Sequence, residues 1–534
     1  MKVVKAEEMQ RIDKISIEQI GIPGEVLMGY AGKSIADFIE DNLACKKSVA
    51  VFSGTGNNGG DGFVIGYLLS NKGFNVDIYI AGSMGRVSET SRIYLNVCMN
   101  YGVEIIEVGD NAVLREVDLE RYDLIIDALL GTGFRGSVRG IIKDIIEMIN
   151  NCGIMILSVD IPSGLPSNGE APDGVVIKAD YTVTIGLPKV SLVIYPGRRY
   201  TGELHVSDIG FPSTITNSSE LRIELIDNSF VKKRLDFARD CDAHKGMIGH
   251  LLLIGGFDEM EGAIIMAAMS AFETGIGLST LLTTKKARSV IAGKIPELIT
   301  RSLDTLGLPD LQECVKDNDE NYNEEDRDLC RSIESDLESF FNEDRRYDVL
   351  LIGPGMGRSR LSSIVFNTVI DKLSSYNIKS VIIDGDGLYH LSKYLKVTKL
   401  PEDITFAITP HFYEASRLMG RSVDEIKKNR LDAAIELSRL TSAVVLLKGP
   451  STIVTDGTET LINTSGNPSL ATAGSGDVLS GIIGALLLKD ISSLDAAGIG
   501  AYVHGRAADI CVMENGIDLL KATDVIDHIR SVFV

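Results

Sequence analysis

The chain has 534 residues, 44% hydrophobic and 24% charged, with a formal net charge of −21 and a sequence pI near 4.9. That length predicts more than one domain, and that mix an ample apolar core. The acidic balance argues against a general nucleic-acid binder, whose phosphate contacts need a basic surface. The seven cysteines (Cys45, Cys98, Cys152, Cys241, Cys314, Cys330 and Cys511) form no Cys-x-x-Cys pair and read as reduced thiols. Residues 1–13 carry charges throughout, and no apolar stretch reaches membrane-spanning length uninterrupted, so a cytoplasmic protein without membrane contact is expected.

In chain order, residues 6–41 read as mostly helical. Apolar runs at 48–53, 75–80, 122–128, 153–160 and 181–185 predict strands, with helices over about 62–72 and 141–150. Strands spaced by helices are the pattern of a doubly wound parallel sheet. Residues 210–219, rich in Pro, Ser, Thr and Asn, predict a linker, so domains are expected over 1–217 and 218–534. A second α/β series then predicts strands at 250–254, 349–352, 381–384, 405–409 and 443–447. Its expected helices lie at 262–274, 361–374, 423–440 and 478–488. Residues 304–346, densest in acid at 317–320 and 324–328, read as a solvated insertion without chemistry.

The run Ser53-Gly-Thr-Gly-Asn-Asn-Gly-Gly-Asp-Gly62 follows the first strand and opens a helix. Glycines let backbone approach a phosphate, and a helix start offers free N–H donors. A tight turn alone requires neither the paired Asn nor the Asp. Two more strands end in Ile126-Asp-Ala-Leu-Leu-Gly-Thr-Gly-Phe-Arg-Gly136 and Val159-Asp-Ile-Pro-Ser-Gly164. Ligands of an open parallel sheet bind beyond the carboxyl ends of its strands, so Asn58, Asp127, Asp160 and Ser163 are expected to converge. Each Asp taken singly is better explained as a turn cap; three at strand ends together are not.

Over roughly residues 1–215 these motifs resemble the NAD(P)H-hydrate epimerase family. The resemblance implies a Rossmann-like three-layer α/β domain that interconverts the R and S forms of hydrated NAD(P)H, NAD(P)HX, at nicotinamide C6. It implies K+ held by Asn58, Asp127 and Ser163, a set with one carboxylate that suits a hard monovalent cation. Implied substrate contacts are Asn57, Asn58, Gly59, Gly60 and Asp61, together with Gly131, Thr132, Gly133, Phe134, Arg135, Gly136 and Ser137. Asp160 is the implied acid/base.

The second site begins at Asn467-Pro-Ser-Leu-Ala-Thr-Ala-Gly-Ser-Gly-Asp477, just before an apolar helix. Gly474, Ser475 and Gly476 are expected to form the helix start, where the dipole favours developing negative charge. Asp477 in the first turn can take a proton from a hydroxyl attacking a nucleotide phosphate, although helix capping also accounts for it. The run resembles the ribokinase-like superfamily and, more narrowly, its nucleotide-dependent NAD(P)H-hydrate dehydratases, over roughly residues 220–534. Supporting segments are Ala243-His-Lys-Gly246, Gly353-Pro-Gly-Met-Gly357, Ile383-Asp-Gly-Asp386, Thr409-Pro-His-Phe-Tyr-Glu414 and Lys448-Gly-Pro-Ser-Thr452.

That resemblance implies a ribokinase-like α/β domain in which ADP or ATP, with Mg2+, phosphorylates the hydrate hydroxyl and loss of phosphate restores NAD(P)H. Lys448, Gly449, Pro450, Ser451, Thr452 and Gly476 would contact the nucleotide; Ala263, Gly357, His411 and Asp477 would contact the hydrate. The family also forms homo-oligomers. The chain departs from the usual pattern at Val381-Ile-Ile-Asp-Gly-Asp-Gly387, which lacks an Asn-Pro lead-in, and in the length of its acidic insertion. Two other readings stay open at this level: a ribokinase-like kinase of a vitamin or sugar alcohol, and a nucleotide-binding scaffold with an inactive first domain.

Overall fold

A computed structural model describes residues 1–235, 247–257, 259–302, 324–342, 346–516 and 519–533. The motif at 243–246, Asp258 and the acidic residues 317–320 lie outside the described residues. The chain divides into two compact units, Lys2–Glu224 and Leu225–Val534, with Met1 grouped with the second.

The sheet of the first unit has seven strands: β1 (Ser48–Ser53), β2 (Asn75–Ala81), β3 (Glu104–Val108), β4 (Leu124–Ala128), β5 (Met155–Val159), β6 (Tyr181–Ile185) and β7 (Glu203–Ser207). Their order is β3-β2-β1-β4-β5-β6-β7, all parallel. From β1 the chain builds outward through β2 to β3, then returns to start the other half at β4. Between β1 and β4 the crossovers diverge, which opens a crevice beyond the strands' carboxyl ends. Helices α1 (Ala6–Glu18), α2 (Gly24–Leu43), α3 (Asn57–Asn71), α4 (Glu89–Asn100) and α5 (Gly140–Asn151) accompany the sheet. In α5, Ile145, Ile146 and Ile149 are buried, the one-sided pattern of a helix lying on a sheet.

Two corrections concern this unit. Helix α3 starts at Asn57, not near 62, so Asn57–Asp61 form its first turns instead of a loop. Strands β3 and β7 were not expected from the sequence. Both are edge strands, and their outer residues Glu104, Glu107 and Glu203 break the apolar run that marks the central strands.

The second unit is built on β8 (His250–Ile254), β9 (Leu278–Thr283), β10 (Ile299–Ser302), β11 (Val349–Ile352), β12 (Ser380–Ile383), β13 (Thr405–Ile408), β14 (Val444–Leu447), β15 (Thr452–Thr455) and β16 (Thr460–Asn463). Their order is β16-β15-β14-β13-β12-β11-β8-β9-β10, parallel from β14 to β10. The unexpected β15 and β16 add an antiparallel hairpin at one side. Strands β9 and β10 also went unpredicted; their Ser, Thr and Arg residues dilute the apolar signal.

Its main helices are α6 (Glu261–Glu273), α7 (Glu324–Phe341), α8 (Arg360–Lys372), α9 (Asp386–Tyr394), α10 (Phe412–Met419), α11 (Val423–Lys428), α12 (Arg430–Thr441), α13 (Ser475–Leu486) and α14 (Ser493–Asn515). The single helix expected over 423–440 is two, broken at Asn429 by φ −142°, ψ 67°. Part of the acidic segment is the amphipathic α7, which buries Leu329, Ile333, Leu337 and Phe340. These stand three or four residues apart, a face that a count of acidic residues hides. No helix among the described residues is long and apolar enough to cross a membrane.

Candidate active sites

In the first unit, the loops after β1 and β4 meet the start of α3 backbone to backbone. A Cβ on Gly59 would stand 1.9 Å from the Gly54 carbonyl oxygen, and one on Gly54 would stand 2.0 Å from that of Leu129. Only glycine allows this approach. Behind it, Asp127 is fully buried at the end of β4. Its carboxylate accepts hydrogen bonds from the Ser158 hydroxyl (2.8 Å), the Ser163 N–H (2.9 Å), the Ser163 hydroxyl (2.5 Å) and the Leu129 N–H (3.3 Å). Burial raises its pKa, and these hydrogen bonds oppose the rise. The Ser163 oxygen in turn accepts from the Leu130 N–H at 2.8 Å.

The Asn58 side chain packs against Gly131, where an added Cβ would stand 3.2 Å from the Asn58 Cβ. Its Nδ2 is buried without a hydrogen-bond partner, as is the Ser53 Oγ. Carboxylate, hydroxyl and amide therefore cluster around the loop that follows β4. The four hydrogen bonds occupy the four lone-pair sites of Asp127, so a cation there requires the Ser163 O–H to turn away. One negative charge among neutral oxygens is a donor chemistry that suits a monovalent cation better than a divalent one.

Asp160 at the end of β5 turns to other partners. It has φ 66°, a left-handed conformation uncommon for a residue with a side chain. Its Oδ1 accepts from the Ile185 N–H (2.9 Å), the Thr184 hydroxyl (3.2 Å) and the Lys189 ammonium. Lys189 is fully buried and also donates to the Thr184 hydroxyl (3.1 Å) and the Ile185 carbonyl (2.9 Å). Two more carboxyls feel this pair. Burial, then the charges of Asp160 and Asp13, raise Asp61 well above the usual carboxylate range. Asp13 on α1 is raised to about 6, chiefly by burial and against the pull of Lys189. Three carboxyls thus share one buried cation.

Lys189 and Asp13 escaped sequence reasoning. The available signal was a lone Lys inside the apolar run Leu187-Pro-Lys-Val-Ser-Leu-Val193. The loop holding Gly131, Thr132, Gly133, Phe134, Arg135, Gly136 and Ser137 lies at the surface. There Arg135 pairs with Glu7 at 2.8 Å and the Ser137 hydroxyl donates to Asp173 at 2.8 Å.

The second unit repeats the theme of one cation among several carboxyls. Lys448 follows β14, and its Nζ lies 2.8 Å from the Asp384 carboxylate after β12 and 4.0 Å from Glu414 in α10. An added Cβ on Gly476 would stand 3.4 Å from that Nζ, which places the lysine at the start of α13. Asp477, the third residue of α13, has its pKa raised to about 7 by burial and by Asp384, with Lys448 opposing. Glu414 is also raised to about 7 by burial, again against Lys448. The first-turn N–H groups of Gly476 and Asp477 have no carbonyl within the helix to bond.

His411 caps α10, its Nδ1 accepting from the Tyr413 and Glu414 N–H groups at 3.1 and 3.2 Å. Burial and the nearby Lys448 lower its pKa. Gly357 is held from α9: its N–H donates to Asp386 at 2.9 Å and its carbonyl accepts from His390 Nε2 at 2.9 Å. Ala263 lies in the first turn of α6, beside Gly355. No group of three or more His, Cys, Asp or Glu side chains arranged to hold a metal occurs among the described residues.

Comparison with known proteins follows the same division. Residues 251–531 match the family model described as NAD(P)H-hydrate dehydratase, and residues 24–191 match the YjeF-related protein N-terminus. The chain is 33% identical to the bifunctional NAD(P)H-hydrate repair enzyme Nnr of Thermofilum pendens, over 99% of this chain and 95% of the relative. It is 32% identical to the enzyme of the same name from Moorella thermoacetica, over 99% of this chain and 96% of the relative. A solved structure, the Bacillus subtilis ADP/ATP-dependent NAD(P)H-hydrate dehydratase co-crystallized with ATP and Mg2+, aligns with 59% of this chain and 98% of its own. Its identity to this chain is 23% and the TM-score is 0.47.

Proposed function

The chain belongs to the family of bifunctional NAD(P)H-hydrate repair enzymes, and we propose that its first unit epimerises R- and S-NAD(P)HX while its second dehydrates the S form with ADP or ATP. The observation that carries this reading is a lysine–carboxylate pair at strand ends in each unit, the buried Lys189 with Asp160 and the partly buried Lys448 with Asp384. The full-length relationship disfavours a small-molecule kinase with an idle first domain, and equally an inactive scaffold.

Carbon C6 of the hydrate bears both a ring nitrogen and a hydroxyl. Inverting it requires a proton to be given and taken close to that carbon. Asp160 is assigned that transfer, with Lys189 fixing its orientation and Asn57, Asn58, Gly59, Gly60 and Asp61 lining the substrate. Asn58, Asp127 and Ser163 would hold K+, whose charge would anchor the polar end of the ligand.

In the second unit, Asp477 takes the proton from the C6 hydroxyl as its oxygen attacks the terminal phosphate. Lys448 and the first-turn N–H groups of α13 balance the charge that develops there. Phosphate then leaves C6, a proton leaves C5, and the ring double bond of NAD(P)H returns. Mg2+ would come with the nucleotide and neutralise its phosphates; Asp384, Glu414 and Asp477 offer oxygens of the kind it takes, without forming a dedicated cage. Lys448, Gly449, Pro450, Ser451, Thr452 and Gly476 are assigned to the nucleotide. Ala263, Gly357 and His411 are assigned to the hydrate.

A mixture of NADHX epimers with ADP or ATP tests the whole reading. NADH absorbance should recover fully with the intact chain, stall after the S share with Asp160→Asn, and not rise with Asp477→Asn. No NADH with either nucleotide would sink the proposal, and wild-type epimerisation by Asp160→Asn would remove that residue's role.

A further inference from the structure

Arg430, the first residue of α12, is 2% exposed. Its Nη1 donates to the Pro450 carbonyl at 2.5 Å and its Nη2 to the Ser451 carbonyl at 3.1 Å. The Phe412 ring lies 5.3 Å from its Cζ, and Nε is buried with no partner. No acidic side chain pairs with it among the described residues, and burial alone displaces its pKa, down to about 10. A fully buried guanidinium without a counter-ion is costly and is rarely retained for packing.

The loop it grips is the one assigned above to the nucleotide. Gly449 has φ +148°, and a Cβ there would stand 3.0 Å from Phe412 Cζ and 3.2 Å from Arg430 Nη2. Ser451 has φ 53°, a strained value for a residue with a side chain. The Gly449 carbonyl accepts from the Thr452 hydroxyl at 2.9 Å. The carbonyls of Gly449, Pro450 and Ser451 are thus all engaged by the protein. Across the planar peptide that joins Pro450 to Ser451, the Ser451 N–H points away from Arg430. Lys448, at the head of the same loop, reaches the start of α13.

We infer that Arg430 is a positioning residue for the phosphates of ADP or ATP. By holding the Pro450 and Ser451 carbonyls inward it fixes the loop that presents Lys448 and the Ser451 N–H, and its unpaired charge favours an anion on the opposite side. The inference rests on the assignment of residues 448–452 to the nucleotide.

The test uses the full chain, with scanning calorimetry of each variant as the check that the second unit stays folded. Nucleotide Kd, measured by calorimetry with ADP and with a non-hydrolysable ATP analogue, is compared for Arg430→Met, Arg430→Gln, Arg430→Lys and Lys448→Gln. Arg430→Met should weaken binding about 10- to 100-fold, the range of a charged hydrogen bond, with KM for the hydrate unchanged. Lysine, which keeps the charge, should restore more than glutamine, which keeps only hydrogen bonding. Where Arg430→Met fails to fold, the ranking of lysine over glutamine decides. If Lys448→Gln weakens binding while the Arg430 variants bind like wild type, or lysine does no better than glutamine, Arg430 lacks this role. If Lys448→Gln itself binds normally, the loop is not the nucleotide site and the inference falls with that assignment.

Discussion

Replacing Asp477 by asparagine should move activity and stability in opposite directions. In the folded chain burial and Asp384 raise this carboxyl from 3.8 to about 7. The folded state therefore keeps a proton that the unfolded state has released. The stability linked to that proton is complete below about pH 4 and is lost as pH rises through about 7. At about 1.4 kcal/mol per pH unit the full linkage is about 4 kcal/mol at pH 8. Partial exposure and coupling to Lys448, Asp384 and Glu414 reduce the amount to be expected to about 1–2 kcal/mol. Asparagine matches the neutral acid in shape and has no charge to desolvate. At pH 8 Asp477→Asn should raise the unfolding midpoint of the second unit, by roughly 2–4 °C for each kcal/mol. At pH 5 the folded carboxyl is neutral while the unfolded one is already ionised, so the gain should fall to roughly 40% of its value at pH 8 and vanish only below about pH 4. Dehydratase turnover should fall by about 10²- to 10⁴-fold, as for loss of a general base. Scanning calorimetry at the two pH values, beside the NADH assay, reads both effects. A variant equally stable or less stable than wild type at pH 8, or one whose gain is the same at pH 5, would refute the assignment of a buried, reluctantly ionised base.

Lys189→Met should slow epimerisation, because the ammonium that holds the Asp160 carboxylate in place is lost. It should also destabilise the first unit by about 3–5 kcal/mol, the usual result of leaving one member of a buried ion pair alone; chromatographic separation of the epimers and urea unfolding read these effects. Gly59→Ala puts a methyl 1.9 Å from a backbone oxygen that has no side chain to yield, so epimerisation should be lost while dehydration of pure S-NADHX persists. An equal loss of both activities would point to global unfolding instead. Asp127→Asn should raise the K+ concentration that half-activates epimerisation by at least about tenfold, since it removes the only charge in the proposed donor set; a rate that ignores K+ in both proteins removes the ion from the mechanism.

Most central strands were legible because parallel strands covered on two faces must be continuously apolar, the exception being β9, where Ser279, Thr280 and Thr283 interrupt the run. The motifs at their ends were legible because small and acidic residues in such places serve turns or ligands. What escaped notice depends on neighbours in space. Edge strands β3, β7 and β10 carry polar residues because one side of each is unpaired, and α7 hid its apolar face among acidic residues. The sharper case is Asp160. The sequence shows it as an aspartate after a strand, which taken alone reads better as a turn cap. Its distinguishing partner, Lys189, stands 29 residues on, a spacing no periodicity explains. The two meet because β5 pairs in parallel with β6, with the Asp160 N–H bonding to the Val183 carbonyl at 2.9 Å, so both strand ends open at the same edge of the sheet. Arg430 and the Ser451 carbonyl are joined similarly across 21 residues. Short motifs therefore disclose which carboxylates sit at strand ends, while strand order decides which cation lies beside each. That second choice separates an ion-paired carboxylate from a turn cap, and it is made by topology alone.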